Sequence, residues 1–425
     1  MSKDVYQRSR VLYLFEAALE YFISMMVTGA YLAKITSAIG VSDTVTGILA
    51  AFVSLGCGFQ LFAIFLAGKR PVKRWVTALH LVNESFFALI YFVPFIKVPS
   101  EVRVAVFVGL LLVGHVLNNV VNSPKTNWFM SLVDDRKRGQ FSANKEMLSL
   151  IGGMIFSFAM GAIVDRFEAD GNIGGAFIVC GFAIFGLMIL HSATMIFSAE
   201  KPLTDKEKIP AGKLLRELLR DRDFFSVMLI AVLWNVVNFA STPFYGSYQV
   251  KELGFSMTFI SALTAICAVV RTLFSRPMGK FADKHSFAKM LNVCFVIMLA
   301  AFCVNVFTVP ANGAICFPIY NVLNAIAMAG INSSMINLIY DYVAPERRVG
   351  ALALKNTLAG FAGFFTTLAV SPLVARIQRD GNVLFGRTVY AQQVVSAIAA
   401  VLLVILIVYL NLVVLRMKRR GAQGE

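Results

Sequence analysis

Long unbroken apolar runs, without alternation, set the pattern of this chain. Stretches such as AVFVGLLLVGHVL (105–117) and VVSAIAAVLLVILIVYLNLVVL (394–415) show no period of two. A run of about 20 apolar residues forms a helix long enough to cross a hydrocarbon core of about 30 Å. Every backbone N–H and C=O in lipid must be paired within the protein, which leaves only helices or closed barrels. Without alternation the segments read as helices. Twelve spans are predicted, at about 11–34, 44–67, 75–96, 104–129, 141–164, 173–198, 224–249, 257–278, 287–310, 312–340, 350–374 and 391–415. The predicted fold class is an all-α integral membrane protein. The first apolar run contains Glu16 and Glu20 and lacks a processing site, so the first helix is expected to be retained.

Composition sharpens this picture in one respect. Only 15% of the residues are charged, against roughly 25% in soluble proteins, so each charge inside a span needs an explanation. The net charge of +15 could suggest nucleic acid, but its distribution suggests otherwise. With the N-terminus inside, and residues at span ends assigned to the nearer side, 27 of the 39 Lys and Arg are cytoplasmic and 8 lie on the opposite side. That is the bias of the positive-inside rule, and no nucleic-acid partner is expected. Six scattered cysteines show neither disulfide nor zinc spacing, and no metal or other cofactor is expected.

The chain also repeats itself. NSPKTNWFMSLVDDRKRGQFSAN (122–144) returns as NSSMINLIYDYVAPERRVGALALKN (332–356), with Asn122 and Asn127 matched by Asn332 and Asn337. Further on, Asp170-Gly171-Asn172 recurs as Asp380-Gly381-Asn382. Each copy crosses the connection between a fourth and a fifth helix. The longest polar stretch, SAEKPLTDKEKIPAGKLLRELLRDRD (198–223), lies between the copies and includes a short amphipathic segment. The organisation expected is a six-helix bundle over 1–197, a cytoplasmic linker over 198–223 and a second bundle over 224–425.

Two six-helix halves, cytoplasmic ends and basic loops within each half resemble the major facilitator superfamily of secondary transporters. The resemblance covers the whole chain. The superfamily's loop signature, Gly-x-x-x-Asp-Arg/Lys with further basic residues, survives in GKFADKHSFAK as Gly279, Asp283, Lys284 and Lys289. The first half departs from it in FLAGKRPVKRW, with Gly68 where the acid belongs and Ile64 where the first glycine belongs. The resemblance implies pseudo-symmetric bundles, a substrate site near the midplane and alternating access. It also implies gating by Asp283, Gly279 and Lys284, with Lys145 at the start of the fifth helix as a candidate partner of Asp283.

Polar stripes locate candidate binding residues. Glu16, Glu20 and Ser24 share one face of the first helix. His115, Asn118, Asn119, Asn122 and Lys125 follow one another along the fourth. Asn235, Asn238, Thr242, Tyr245 and Gln249 do so along the seventh, and Asn321, Asn324 and Asn332 more loosely along the tenth. The resemblance implies that these four helices line the central cavity. Polar groups are expensive against lipid, so the stripes must face protein or water. A plainer reading is that the asparagines tie helices together, at about 0.6 kcal/mol each.

The substrate-binding candidates are Lys125, Arg271, Asn118, Asn122, Asn235, Asn238, Tyr245, Asn321 and Asn324. Lys125 breaks the internal symmetry, standing where the second copy has Met335. Together with Arg271 it suggests an anion-attracting site, and the rival reading makes it a counter-ion to Glu16 or Glu20. Carboxyls at mid-membrane can load and release protons, and Glu20, Glu16 and Glu84 are the coupling candidates. Lys145, Glu146 and Lys355, near helix starts, read more plainly as ion pairs.

The function expected is secondary active transport of a small organic anion, a carboxylate or sugar acid, coupled to protons or Na+, by a monomer in the plasma (inner) membrane. A multidrug or lipid exporter on the same fold is the alternative; its site would be larger and more apolar, and the 37 Phe and 17 Met keep that alternative open. An enzyme is not expected: there is no HExxH, and the four histidines at 80, 115, 191 and 285 lack ligand spacing. A channel or receptor would leave the two-half repeat unexplained.

Overall fold

The computed structural model describes residues 6–62, 71–133, 138–201, 211–343, 347–384 and 386–417. Among them, eleven helices are long and apolar enough to cross a membrane. A bent pair, α1 (Gln7–Met26) and α2 (Gly29–Ala38), makes twelve, with a 42° break between its members. Gly29 sits at that break with φ of 55°, a conformation that a Cβ disfavours. The second span comprises α3 (Asp43–Ala50) and α4 (Phe52–Gly58), and α5 (Lys73–Leu89) is the third. They are followed by α6 (Ser100–Ser131), α7 (Arg138–Ala169) and α8 (Ile173–Ile196), the fourth to sixth spans. A short amphipathic helix, α9 (Ala211–Arg220), precedes α10 (Arg222–Phe239), which opens the seventh span and continues to Glu252 through short 3-10, α and π helical pieces. The last five spans are α11 (Met257–Lys284), α12 (Phe287–Val306), α13 (Gly313–Tyr342), α14 (Arg348–Arg379) and α15 (Ala391–Leu412). A minimal antiparallel ladder pairs β1 (Val383–Leu384) with β2 (Arg387–Thr388).

The basic stretch after the second span lies largely outside the described residues, including Ile64 and Gly68, as do residues 202–210 between the halves.

Polar side chains start the helices where the sequence supplies them. Ser42 accepts from the Val45 N–H, Asn172 from Gly175, Asp221 from Asp223 and Phe224, and Ser286 from Lys289. Each satisfies an N–H that has no partner within its helix. The two Asp-Gly-Asn copies end their helices in the same way. Gly171 and Gly381 both have φ of 69°. Asn172 N–H donates to Phe167 and Asn382 N–H to Ile377, while Arg166–Asp170 and Arg376–Asp380 form matching pairs four residues apart. The written repeat is thus also a structural one.

The chain divides into two compact units: Met1–Glu207 with Gly254–Ala262, and Lys208–Leu253 with Leu263–Glu425. In the first unit α1 packs on α7 and α8, α5 on α6 and α8, and α4 on α6. The second unit repeats the scheme: α10 packs on α14 and α15, and α12 on α13 and α15. Both are helical bundles of pseudo-symmetric design, the second carrying the small β ladder. Large apolar side chains such as Ile155, Phe182, Ile189, Leu273 and Val401 are more than 60% exposed, as lipid-facing residues must be.

A buried charged cluster in the first bundle as candidate functional site

The fourth span brings Lys125 to the middle of its bundle. Pro124 precedes it inside α6 and removes one backbone donor from the helix. An aromatic layer closes the side toward the predicted cytoplasmic end. Tyr13 stacks on Phe129 at 4.4 Å, nearly parallel, and Trp128 stacks on Phe129 at 4.3 Å. Val76, Val121, Leu132 and Met195 complete this apolar layer. With water excluded, the charges nearby must satisfy one another.

They do so through one continuous network. Lys125 Nζ lies 2.7 Å from Glu16 Oε1 and 2.6 Å from Glu20 Oε2. The lysine and Glu16 are almost wholly buried, whereas the Glu20 side chain keeps 24% of its surface. Glu16 Oε1 is also 3.0 Å from His191 Nε2, and the other ring nitrogen, Nδ1, is 2.6 Å from Glu84 Oε1. The His80 ring stands edge-on to His191 with centroids 5.2 Å apart. The first, third, fourth and sixth spans therefore each contribute charged or titratable groups to one cluster.

This geometry puts Lys125 between the two glutamates proposed as its counter-ions. Both carboxylates come from the i, i+4 pair on α1, so one helix face supplies both. Three carboxylates, Glu16, Glu20 and Glu84, stand against one ammonium, and Glu20 is the only member of the Lys125 triad that reaches beyond the buried interior. Lys145 lies over the Tyr13 ring at 5.2 Å with its Nζ 3.5 Å from the hydroxyl. Asp283 and Lys284 are exposed, and Gly279 is half-buried in α11 with open space around its Cα.

The polar stripe of the fourth span separates into two kinds of residue. Asn119 is buried and works as a helix tie. It accepts from Gln60 and donates to the His115 carbonyl, and Cys57 Sγ lies 3.2 Å from its Oδ1. Asn118 and Asn122 are half-buried, with Asn122 accepting from Thr126. In the second unit Asn235, Asn238, Asn321 and Asn324 are likewise half-buried, and Asn235 and Asn321 each donate to the carbonyl four residues earlier. Arg271 is half-buried on α11. Tyr245 departs from the predicted stripe: it is 5% exposed and its hydroxyl bonds Ser396 at 2.9 Å. Ser396 also accepts from Asn305, which in turn accepts from Gln392. A neutral hydrogen-bonded network thus ties the seventh, ninth and twelfth spans.

Two residues of the charged cluster escaped the sequence reading. His80 and His191 look scattered along the chain, yet they meet Glu84 in space, with one potential ligand atom from each all within 4.8 Å of one another. The visible signal was the i, i+4 spacing of His80 and Glu84 in HLVNE, which puts both on one helix face. The sixth-span partner had no local signature.

The model of the Major Facilitator Superfamily matches residues 14–367 and 241–424. The chain belongs to this superfamily. Solved transporters share its fold. The nucleoside transporter NupG superposes with a TM-score of 0.68 at 14% identity, covering 98% of this chain and 100% of that one. A bacterial homologue of the human lysosomal transporter Spinster, inward-facing and unoccupied, gives 0.67 at 16% identity, with 97% of both chains covered. A D-xylose–proton symporter gives 0.62 at 15% identity, with 94% and 97% covered. No curated protein sequence matches significantly. This facilitator is a multi-pass membrane transporter and not an enzyme.

Proposed function

We propose that this facilitator couples movement of a small organic anion to protons, with Lys125 exchanging partners between Glu20 and the substrate. The observation that carries the reading is the doubly paired, buried Lys125 whose second partner, Glu20, alone keeps contact with its surroundings. A buried ammonium needs a counter-charge. Protonating Glu20 would release one side of Lys125, and a substrate carboxylate is the natural replacement. Glu16 stays with the lysine in both states, so the site never holds an unpaired cation. The titratable groups around Glu20 include Lys125 and Glu16 and, further off, Tyr13 and Glu84. One structural neighbour is a sugar–proton symporter, so the fold accommodates such coupling in another protein. Arg271 of the second unit is a further proposed anion-binding residue, and the half-buried asparagines of each unit are proposed as neutral contacts.

The test is reconstitution into liposomes with a panel of labelled carboxylates, sugar acids, neutral sugars and lipophilic drugs under an imposed pH gradient. Anion uptake driven uphill by the gradient is expected, and Glu20→Gln should abolish it while sparing exchange at equal concentrations. Transport of lipophilic drugs alone, indifferent to Lys125→Met, would instead favour the exporter reading.

A further inference from the structure

We infer that His80, Glu84 and His191 form a binding site for one divalent transition-metal ion, of the Zn2+ or Co2+ type, buried in the first bundle. The three ligands themselves make no contact with substrate in the Lys125 switch, although Glu16 joins the two halves of the cluster.

The donor set is the first argument. Two imidazoles and one carboxylate, two of them at i and i+4 on one helix, suit a borderline-soft divalent ion. Mg2+ and Ca2+ prefer oxygen ligands and are disfavoured here. On one tetrahedral ion with bonds of about 2.1 Å, ligand atoms lie roughly 3.4 Å apart. The three potential ligand atoms already lie within 4.8 Å of one another, a separation of the same order.

The second argument is the orientation of His191. Its Nε2 faces Glu16 Oε1 at 3.0 Å, and that carboxylate is held in turn by Lys125. A ligating histidine characteristically donates its other ring N–H to a carboxylate, which fixes the tautomer and aims the lone pair at the metal. With its proton on Nε2, the bare Nδ1 faces Glu84 Oε1 at 2.6 Å. Two potential ligand atoms thus already stand side by side, with the far side of the ring anchored on Glu16.

The third argument is His80 itself. It is fully buried, and neither ring nitrogen meets a partner in hydrogen-bonding geometry, although Asn83 is near enough for an electrostatic interaction. A buried imidazole without aligned partners is costly, and ligation would satisfy it. Charge agrees with this. With His80 and His191 neutral, as ligation requires, three carboxylates against Lys125 leave the cluster two charges negative, which one divalent ion balances.

The experiment uses the full-length protein in detergent, purified without chelators and equilibrated with Co2+. About one Co2+ per chain is expected, with ligand-field bands of a nitrogen–oxygen site, displacement by Zn2+ and no competition from Mg2+. His80→Gln should weaken binding at least ~100-fold and Glu16→Gln about 10–100-fold, while His115→Gln, a buried histidine outside the triad, should bind as wild type does. Pulsed EPR of the Cu2+-loaded wild type should count two imidazoles, a readout that needs no variant to fold. Absence of stoichiometric Co2+ or Zn2+ binding, a single imidazole, or equal loss in the His80 and His115 variants would overturn the site.

Discussion

Replacing Lys125 by Met, the residue at the matching position of the second half, tests the charged cluster most directly. At an effective dielectric of about 20, charges 2.7 and 2.6 Å apart attract by about 6 kcal/mol each. Desolvation offsets much of this, at several kcal/mol per ion. Removing the lysine ends the attraction but leaves two carboxylates, one of them fully buried, and loss of one partner of a buried pair typically costs about 3–5 kcal/mol. An unfolding entropy of about 2.1 cal/mol/K per residue over a unit of roughly 200 residues makes this a fall of about 7–12 °C in Tm. Thermal unfolding of the detergent-solubilised protein, followed by size-exclusion chromatography, reads that shift. Adding Glu16→Gln to Lys125→Met should recover most of the loss, because the remaining carboxylate, Glu20, is the one with access to its surroundings. A Lys125→Met protein as stable as wild type, or a double variant whose losses simply add, would refute the argument that these charges neutralise one another. Substrate affinity in the same variants separates stability from grip: if Lys125 binds the anion, the rescued double variant stays defective by about 1.5–3 kcal/mol.

Further expectations follow from individual contacts. In a background without its six cysteines, Pro71→Cys and Gly212→Cys should be labelled only from the cytoplasm, and Glu101→Cys and Asp380→Cys only from outside; the reverse at either pair removes the proposed orientation. Tyr245→Phe should cost about 0.6–1.7 kcal/mol of stability and leave substrate affinity unchanged, since its hydroxyl is bonded to Ser396; a large loss of affinity would return it to the binding site. Asp283→Asn should change cysteine accessibility on both faces without changing affinity, and unaltered accessibility would reduce Asp283 to loop solvation.

The architecture was legible because lipid makes it so: backbone pairing forces helices, and their length follows from bilayer thickness. The repeat was equally readable, and in Asp170-Gly171-Asn172 and Asp380-Gly381-Asn382 the two glycines share φ as well as place, while Asn172 and Asn382 differ in φ. The site was legible only along single helices. Glu16 with Glu20 and His80 with Glu84 are local spacings, visible in principle. That His191 would join them depends on α8 packing against both α1 and α5, which no one-dimensional pattern states. Tyr245 shows the opposite error. Helical spacing put it on the polar stripe, but the seventh span loses regular helix after Phe239, and the register beyond that point no longer holds.

The same cluster also constrains how the protein is made. Glu16 and Glu20 emerge from the ribosome more than a hundred residues before Lys125, and His191 comes later still. A carboxylate at the centre of a lone helix raises the cost of entering lipid by about 2.5–3.5 kcal/mol. The first helix is therefore poorly suited to partition into the bilayer alone. It must wait beside the insertion machinery, or stay protonated, until the fourth helix arrives with its ammonium. A bundle whose earliest segment depends on a later one for its charge is assembled as a group of helices, and substitutions at Lys125 should reduce the yield of inserted protein before any question of transport arises.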